Sequence, residues 1–474
     1  MKLYITPERK DFMSSILTRN AVRQVLEMAV STGADFAEVY AEHTKSNRMT
    51  MIDGKVETIV DNFLSGAGIR VCKGLKSVYA CTGDLSLSGL LKCAANAAQA
   101  IASGSASREI VLTERIFGDI HPVKIVPGTA PNARKADIIR TSYAAAREYH
   151  EDISQVESNL IDVDHEILIA NSDGLFTGDR QVRTRLFTSA VASKNGENQA
   201  GSCSPGRRMG LEMFDTIDPA AVGREAARQA VVMLSAGYCP AGKMTVAIEN
   251  GFGGVIFHEA CGHSLEATAV AKGRSQFVGK LGTQIANPKV TAIDDGTIPG
   301  AWGSMNIDDE GHPSQRNVLI ENGVLKSYLI DRLNGKRMGM ASTGSSRRQS
   351  YTFEPTSRMT NTYIANGPDK NEDILRSMNE GLYCRKMGGG SVNPITGEFN
   401  FAVTEGYLVR NGQICEPVRG APLIGKGSEI LMDIDMVGQN LDMGQGMCGS
   451  ASGSIPTNVG QPLIRVSSIT VGGR

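Results

Sequence analysis

The sequence predicts an α+β protein: an N-terminal part in which helices flank an antiparallel sheet, then a β-rich C-terminal part, barrel-like or a sandwich, interrupted by one strong helix. Two observations carry this. Helical periodicity and hairpin turns alternate as far as residue 236, and strand patterns dominate beyond it. Between the two regimes, Gly237-Tyr-Cys-Pro-Ala-Gly242 has a breaker at each end and stops the periodicity. The domains are read as 1–236 and 237–474, the first built from two related units at 12–125 and 132–236.

Asn20 is placed to cap a helix whose apolar positions Val22, Val25, Leu26, Ala29 and Val30 keep helical spacing until Gly33. Two hairpins follow, 48–52 with 55–60 around Asp53-Gly54, and 68–72 with 76–81 around Lys73-Gly74. A second helix, capped by Asp84, carries Leu87, Leu90, Leu91, Ala94, Ala98 and Ile101 on one face. After a loop with Pro122, Pro127 and Pro131 the order repeats: a helix at 136–149, strands turning at Asp173-Gly174 and Asn195-Gly196, and a helix at 219–236. Asp218 supplies the cap of that last helix, Pro219 its first-turn proline and Gly237 its stop. In the second half, Asn322-Gly323 separates strands 317–321 and 324–330, and Asn411-Gly412 separates 407–410 and 413–418. The strong helix lies at 255–272.

Composition narrows the function. The 474 residues carry 49 Lys+Arg against 50 Asp+Glu, and no basic run exceeds a pair, so the charge asymmetry of a nucleic-acid-binding chain is missing. No segment approaches the roughly 18 apolar residues of a membrane-spanning helix. Met1 to Asn20 holds Glu8, Arg9, Lys10 and Asp11 where a signal peptide would be apolar. A cytoplasmic chain without nucleic-acid or membrane partners is expected. Nine cysteines, an odd number with no CxxC pair, fit a reducing compartment, where a functional cysteine acts as a thiolate. The 53 glycines exceed the usual level of roughly 7% and predict many turns or close backbone approaches.

Within the strong helix stands His258-Glu259-Ala-Cys261-Gly262-His263, an HExxxH pattern. With seven histidines in the chain, its chance occurrence is on the order of 0.006. Residues i and i+5 lie about 140° apart on a regular helix, so the two imidazoles would diverge. The spacing therefore predicts a helix widened by a π-bulge or broken between His258 and His263, with Gly262 easing the distortion. Two imidazoles beside a carboxylate suit Zn²⁺, which takes three protein ligands and keeps an open position in a catalytic site. Glu259 is then the general base. Three residues compete for the third ligand position: Cys261, Glu266, and the remote Cys448, which lies in a glycine-dense stretch read as a loop.

Beyond that motif, the run Arg348-Gln-Ser-Tyr351 with Arg358-Met-Thr-Asn-Thr-Tyr363, the segments Gly388-Gly-Gly-Ser-Val392 and Gly397-Glu-Phe-Asn-Phe401, and the ending Val459-Gly-Gln-Pro resemble the TldD/PmbA family. The resemblance covers nearly the whole chain. It implies a cytoplasmic zinc metallopeptidase of the TldD type that hydrolyses short or unfolded peptides or matures peptides, by Glu-assisted attack of zinc-bound water. It implies zinc held by His258, His263 and Cys448 with Glu259 as catalytic base, and a homodimer or a heterodimer with a PmbA-like subunit. PmbA-type subunits lack HExxxH, so the alternative, a non-catalytic partner or scaffold subunit, fits the sequence less well. A further alternative keeps hydrolysis but makes Cys448 or Cys261 the nucleophile and His263 its base. The family's earlier label, modulator of DNA gyrase, finds no support in the charge balance. Cys261 and the stretch 450–454 depart from the pattern expected of relatives and bear on substrate preference.

Three other motifs are read without chemistry. His165-Glu166 lacks a second His at the matching spacing and is a strand position. Asp308-Asp309-Glu310 is a solvated turn rather than a hard-cation site. Gly388 to Gly390, with no following Lys-Ser/Thr, is a chain reversal or a close strand crossing rather than a phosphate loop.

Overall fold

The hairpin turns at Asp53-Gly54 and Asn195-Gly196 form where the sequence places them, while the one expected around Lys73-Gly74 falls on Gly74-Leu75. In a computed structural model that describes residues 16–102, 104–393 and 395–473, Asp53 and Gly54 take φ of 47° and 78°, and Asn195 and Gly196 take 53° and 84°. These left-handed pairs match the right-handed twist of the flanking strands. The strands are longer than expected. Lys55–Lys73 is one strand of 19 residues that absorbs both predicted segments 55–60 and 68–72. Gly66 and Gly68 within it are not breaks: a Cβ there would lie 2.3 Å from the Tyr351 ring and 1.7 Å from Tyr79 Oη. They are strand positions where aromatic rings press on the backbone.

Lys76–Thr82, Lys55–Lys73, Phe36–Ile52, Ile153–Asn171 and Leu175–Lys194 follow one another across a single sheet, and Glu197–Cys203 pairs with the last. Each three-strand group is flanked in sequence by two helices: Arg19–Val30 and Leu87–Ala100, then Asn132–Arg147 and Pro219–Leu234. The groups join where Phe36–Ile52 pairs antiparallel with Ile153–Asn171, in unbroken register from Glu38↔Asn171 to Ile52↔Glu157. The first helix buries the expected Val22, Val25, Leu26, Ala29 and Val30. Its cap is Thr18, whose hydroxyl accepts from Ala21 N, and Asn20 sits inside the first turn. Likewise Ser86 caps the second helix, while Asp84 accepts from Ser86 N one step earlier. Leu87 stays exposed, and Cys93 and Ala97 take the buried face with Leu90, Ala94 and Ala98. Asp218 caps the fourth helix through Ala220 N and Ala221 N.

The second half contains a closed five-stranded barrel, Glu380–Val392, Gly242–Ile248, Ile464–Val471, Leu423–Lys426 and Glu398–Arg410, the last pairing back to the first. Gly388 to Gly390 lie inside a barrel strand, where a Cβ on Gly388 would meet Thr404 Cγ2 at 2.8 Å and one on Gly390 the Phe401 ring at 2.2 Å, so close strand packing explains these two. Beside the barrel stands a six-stranded sheet that ends on Asn361–Ile364, Gly453–Gln461 and the edge strand Asp442–Ser450. The strong helix packs between them: Val255, Ile256 and Phe257 share one core with Leu382, Phe401 and Val466 of the barrel and Ile364 and Val459 of the sheet.

The two halves meet through buried charge. Asp308, Asp309 and Glu310 are buried, which corrects the solvated-turn reading. Glu310 receives Arg70 at 2.5 Å, Arg70 also reaches Glu38 at 3.0 Å, and Arg348 reaches Glu38 at 2.7 Å. Asp308 accepts backbone N–H groups from Glu310, His312 and Ser346, and Asp309 accepts from Arg348 N. Charges can be buried when each has such partners. His165 is a strand residue, 2.6 Å from Glu42 in the same seam. Among the described residues no helix is long and apolar enough to cross a membrane. Residues 1–15, most of the stretch read as lacking a signal core, lie outside the described residues.

Candidate metal centre

The helix Val255–Ala260 starts from Gly254, whose missing side chain lets the backbone reach the next sheet: a Cβ there would lie 2.4 Å from both N and O of Gly460. Gly460 belongs to Gly453–Gln461, the partner of the strand bearing Cys448. One glycine–glycine contact thus brings the HExxxH segment against a strand nearly 200 residues away in sequence.

The helix breaks where the spacing requires. At Cys261 the backbone turns to φ −128°, ψ −48°, and Gly262–Leu265 continues as a 3₁₀ turn. The break, not a π-bulge, swings His263 back toward His258. Their ring centroids lie 5.0 Å apart with planes at 83°. Gly262 has a reason other than the one expected, since a Cβ on it would sit 2.2 Å from Met359 Sδ. Cys261 points into the core and is fully buried, with burial pushing its thiol well up.

Cys448 stands on a strand rather than in a loop, opposite Ile455. Gly444 before it serves packing: a Cβ there would lie 2.6 Å from Phe252 Cβ. Its Sγ is 3.3 Å from His258 Nε2 and 3.3 Å from His263 Nε2. Among the described residues, these three form the group whose ligand-type atoms all fall within 4.8 Å of one another. The donor set fits zinc. Tetrahedral bonds of about 2.3 Å to sulfur and 2.05 Å to nitrogen would set each S···N separation near 3.6 Å, close to the 3.3 Å present.

The electrostatics favour an ionised thiol. Burial alone would raise the Cys448 thiol, but the His258 imidazole, with His263 beside it, brings it down to about 3. For His263, burial opposes the charged ring, yet Glu266 and Cys448 outweigh it and push the imidazole well above its ordinary value. Glu259 is partly exposed, its Oε2 3.8 Å from His263 Nε2. It lines both spaces at the site, a cleft of about 620 Å³ on the His263 side and one of about 150 Å³ on the His258 side. Met447, Cys448 and Gly390 border both.

Two residues support the site in roles that the sequence reading did not assign. Glu266, weighed there as a ligand, instead lies 3.2 Å from His263 Nδ1, the ring nitrogen facing away from Cys448. Arg358 is fully buried, donates Nη2 to Cys448 O at 2.5 Å and Nη1 to Ser452 Oγ and Gly453 O, and places Nε 3.8 Å from Glu266. It ties the thiolate strand to the carboxylate behind His263. Trp302 adds an N–H to Gly446 O at 2.9 Å. The only sequence signal for Arg358 was its place in the run shared with the resembled family.

The sequence matches three family models: PmbA/TldA metallopeptidase domain 1 over residues 37–101, the central domain over 126–234, and the C-terminal domain over 241–473. It is 36% identical to the metalloprotease TldD homolog of Haemophilus influenzae over 97% of both chains. It is 30% identical to the zinc metalloprotease TldD homolog of Saccharolobus solfataricus over 55% of this chain and 58% of that one. The crystal structure of TldE from Thermococcus kodakarensis superposes with a TM-score of 0.75 at 18% identity, over 96% of this chain and all of that one.

Proposed function

This chain belongs to the TldD/PmbA metallopeptidase family, and on that premise we propose that it is a zinc-dependent peptidase hydrolysing short or unfolded peptides in the cytoplasm. The observation that carries the reading is the convergence of two imidazole Nε2 atoms on one thiolate, with Glu259 beside them at the wall of a cleft. His258, His263 and Cys448 would hold the metal. Zinc bound there would supply Lewis acidity and lower the pKa of a water to roughly 7.

The chain's own groups do the rest. Glu259 takes a proton from the attacking water and delivers it to the leaving amine nitrogen, the step that separates the two peptide fragments. Glu266 holds the His263 ring by its Nδ1 side, so that Nε2 stays turned to the site. The strand Asp442–Ser450 is the edge of its sheet. An extended substrate adding to that edge gains main-chain affinity with little sequence preference. Pairing with a second copy or with a PmbA-like subunit is part of the proposal. The hairpin tip offers a surface for it, since every residue of 55–64 is exposed, among them Val56, Ile59, Val60 and Phe63.

A second reading draws on the low thiol pKa. Cys448 and His263 also resemble a nucleophile and its base. Glu259→Gln separates the two. The metallopeptidase reading expects one zinc per chain, activity lost on chelation, and an inactive Glu259→Gln that still holds its zinc. Full activity in Glu259→Gln would end it.

A further inference from the structure

Behind the strand that carries Cys448 lies another cavity, of about 410 Å³, between the N-terminal sheet and the C-terminal half. Its size falls within the range of small-molecule pockets. Leu64, Val163, Trp302, Met305 and Ile455 give it apolar walls, and Met447 lines both it and the metal cleft.

The charged lining is unbalanced. Arg48, Arg183, Arg185, Arg347 and Arg348 face Asp309 as the one carboxylate. Arg348 is matched by Glu38. Arg183 and Arg347 have no such match: they are 5% and 4% exposed, and neither forms an ion pair among the described residues. Arg183 spends its bonds on neutral acceptors, Trp302 O at 3.0 Å, Gln181 Oε1 at 2.8 Å and Ser304 O at 3.1 Å. Arg347 donates to Met359 O at 2.7 Å. Arg185, stacked 5.7 Å from the Trp302 ring, gives Nη2 to Ser204 Oγ and leaves its buried Nε without a partner.

Carbonyls and amides satisfy N–H groups but do not neutralise a guanidinium, and an uncompensated buried charge is strongly unfavourable. Burial, with Arg208 and Arg347 adding repulsion that Asp179 and Asp309 offset only in part, drives Arg183 well below the ordinary arginine value. Guanidinium groups pair best with carboxylate and phosphate oxygens. We infer that this cavity binds an organic oxyanion, a carboxylate or phosphate carried on an apolar body, with Arg183 and Arg347 as its charge partners and Arg185 at its side. The inference stands independently of the metal.

Calorimetric titration of the full chain tests it, with hexanoate and hexyl phosphate as probes and hexanamide and hexanol as their uncharged controls. At least one oxyanion should bind one per chain, at least tenfold more tightly than its control, and the better of the two identifies the headgroup. Arg347→Gln and Arg183→Gln should each weaken it at least tenfold, while Cys448→Ser leaves it within twofold. Equal binding of charged and uncharged probes, or no saturable binding, overturns the inference in the wild-type chain without recourse to variants. Retained affinity in both arginine variants overturns it as well. Loss in Cys448→Ser would assign the anion to the metal centre and equally overturn it.

Discussion

Glu266→Gln is the sharpest probe of how the site is built, because it keeps the side chain's shape and removes only its charge. The carboxylate is 5% exposed and 3.2 Å from His263 Nδ1. A full ion pair at that distance would be worth about 5 kcal/mol at an effective dielectric of 20. That is an upper bound here, since a metal-ligating imidazole is neutral and Arg358 Nε, 3.8 Å away, already offsets part of the charge. Losing a partner that orients a ligating histidine typically costs 10–100-fold in metal affinity, about 1.4–2.7 kcal/mol. Competition against a chromophoric zinc chelator near neutral pH should therefore show affinity reduced by one to two orders of magnitude, with an unchanged circular dichroism spectrum. Wild-type affinity in Glu266→Gln would refute the idea that this carboxylate sets the imidazole.

Three further outcomes follow from other parts of the molecule. Gly262→Ala drives a methyl group into Met359 Sδ and should cost about 1–3 kcal/mol by overpacking, read as a lower urea midpoint; an unchanged midpoint contradicts the close contact. His121, 3% exposed, is held down to about 3 by burial and then by Arg208, while its Nδ1 accepts from Gly300 N. Its unfolded value is near 6.5, so between pH 6.5 and 3 the unfolded chain binds the extra proton and stability falls as the pH falls, by about 2 kcal/mol from pH 7 to 5. His121→Asn, which keeps an acceptor, should flatten the stability profile by that amount; an identical slope sinks the assignment. Finally, the proposed dimer should form at least tenfold more weakly in Phe63→Asp, on the exposed hairpin tip, when measured by sedimentation equilibrium, and an unaffected dimer would move the interface elsewhere.

His258, Glu259 and His263 were legible because one short segment holds them and helix geometry converts their spacing into a required break. Cys448 could be named but not placed. Its strand is defined by pairing with Gly453–Gln461 and by Phe252 filling the space beside Gly444, and neither contact leaves a periodic trace. Turn chemistry located the hairpins at Asp53-Gly54 and Asn195-Gly196, yet nothing local showed that 55–60 and 68–72 belong to one strand, in which Gly66 and Gly68 make room for a pair of tyrosines, one of them in the other half of the chain. The acidic run at Asp308 looked solvated for a similar cause. Arg70 and Arg348, which make its burial tolerable, come from distant segments. Local signals of period, cap and turn thus carried the framework, whereas residues whose partners are remote needed coordinates.

The most direct test of the central claim is X-ray absorption at the zinc edge of the loaded full-length protein. One sulfur at about 2.3 Å and nitrogen or oxygen neighbours at about 2.0–2.1 Å are expected, with the sulfur shell missing in Cys448→Ser. A wild-type spectrum without sulfur, or a sulfur shell that persists in Cys448→Ser, would contradict it.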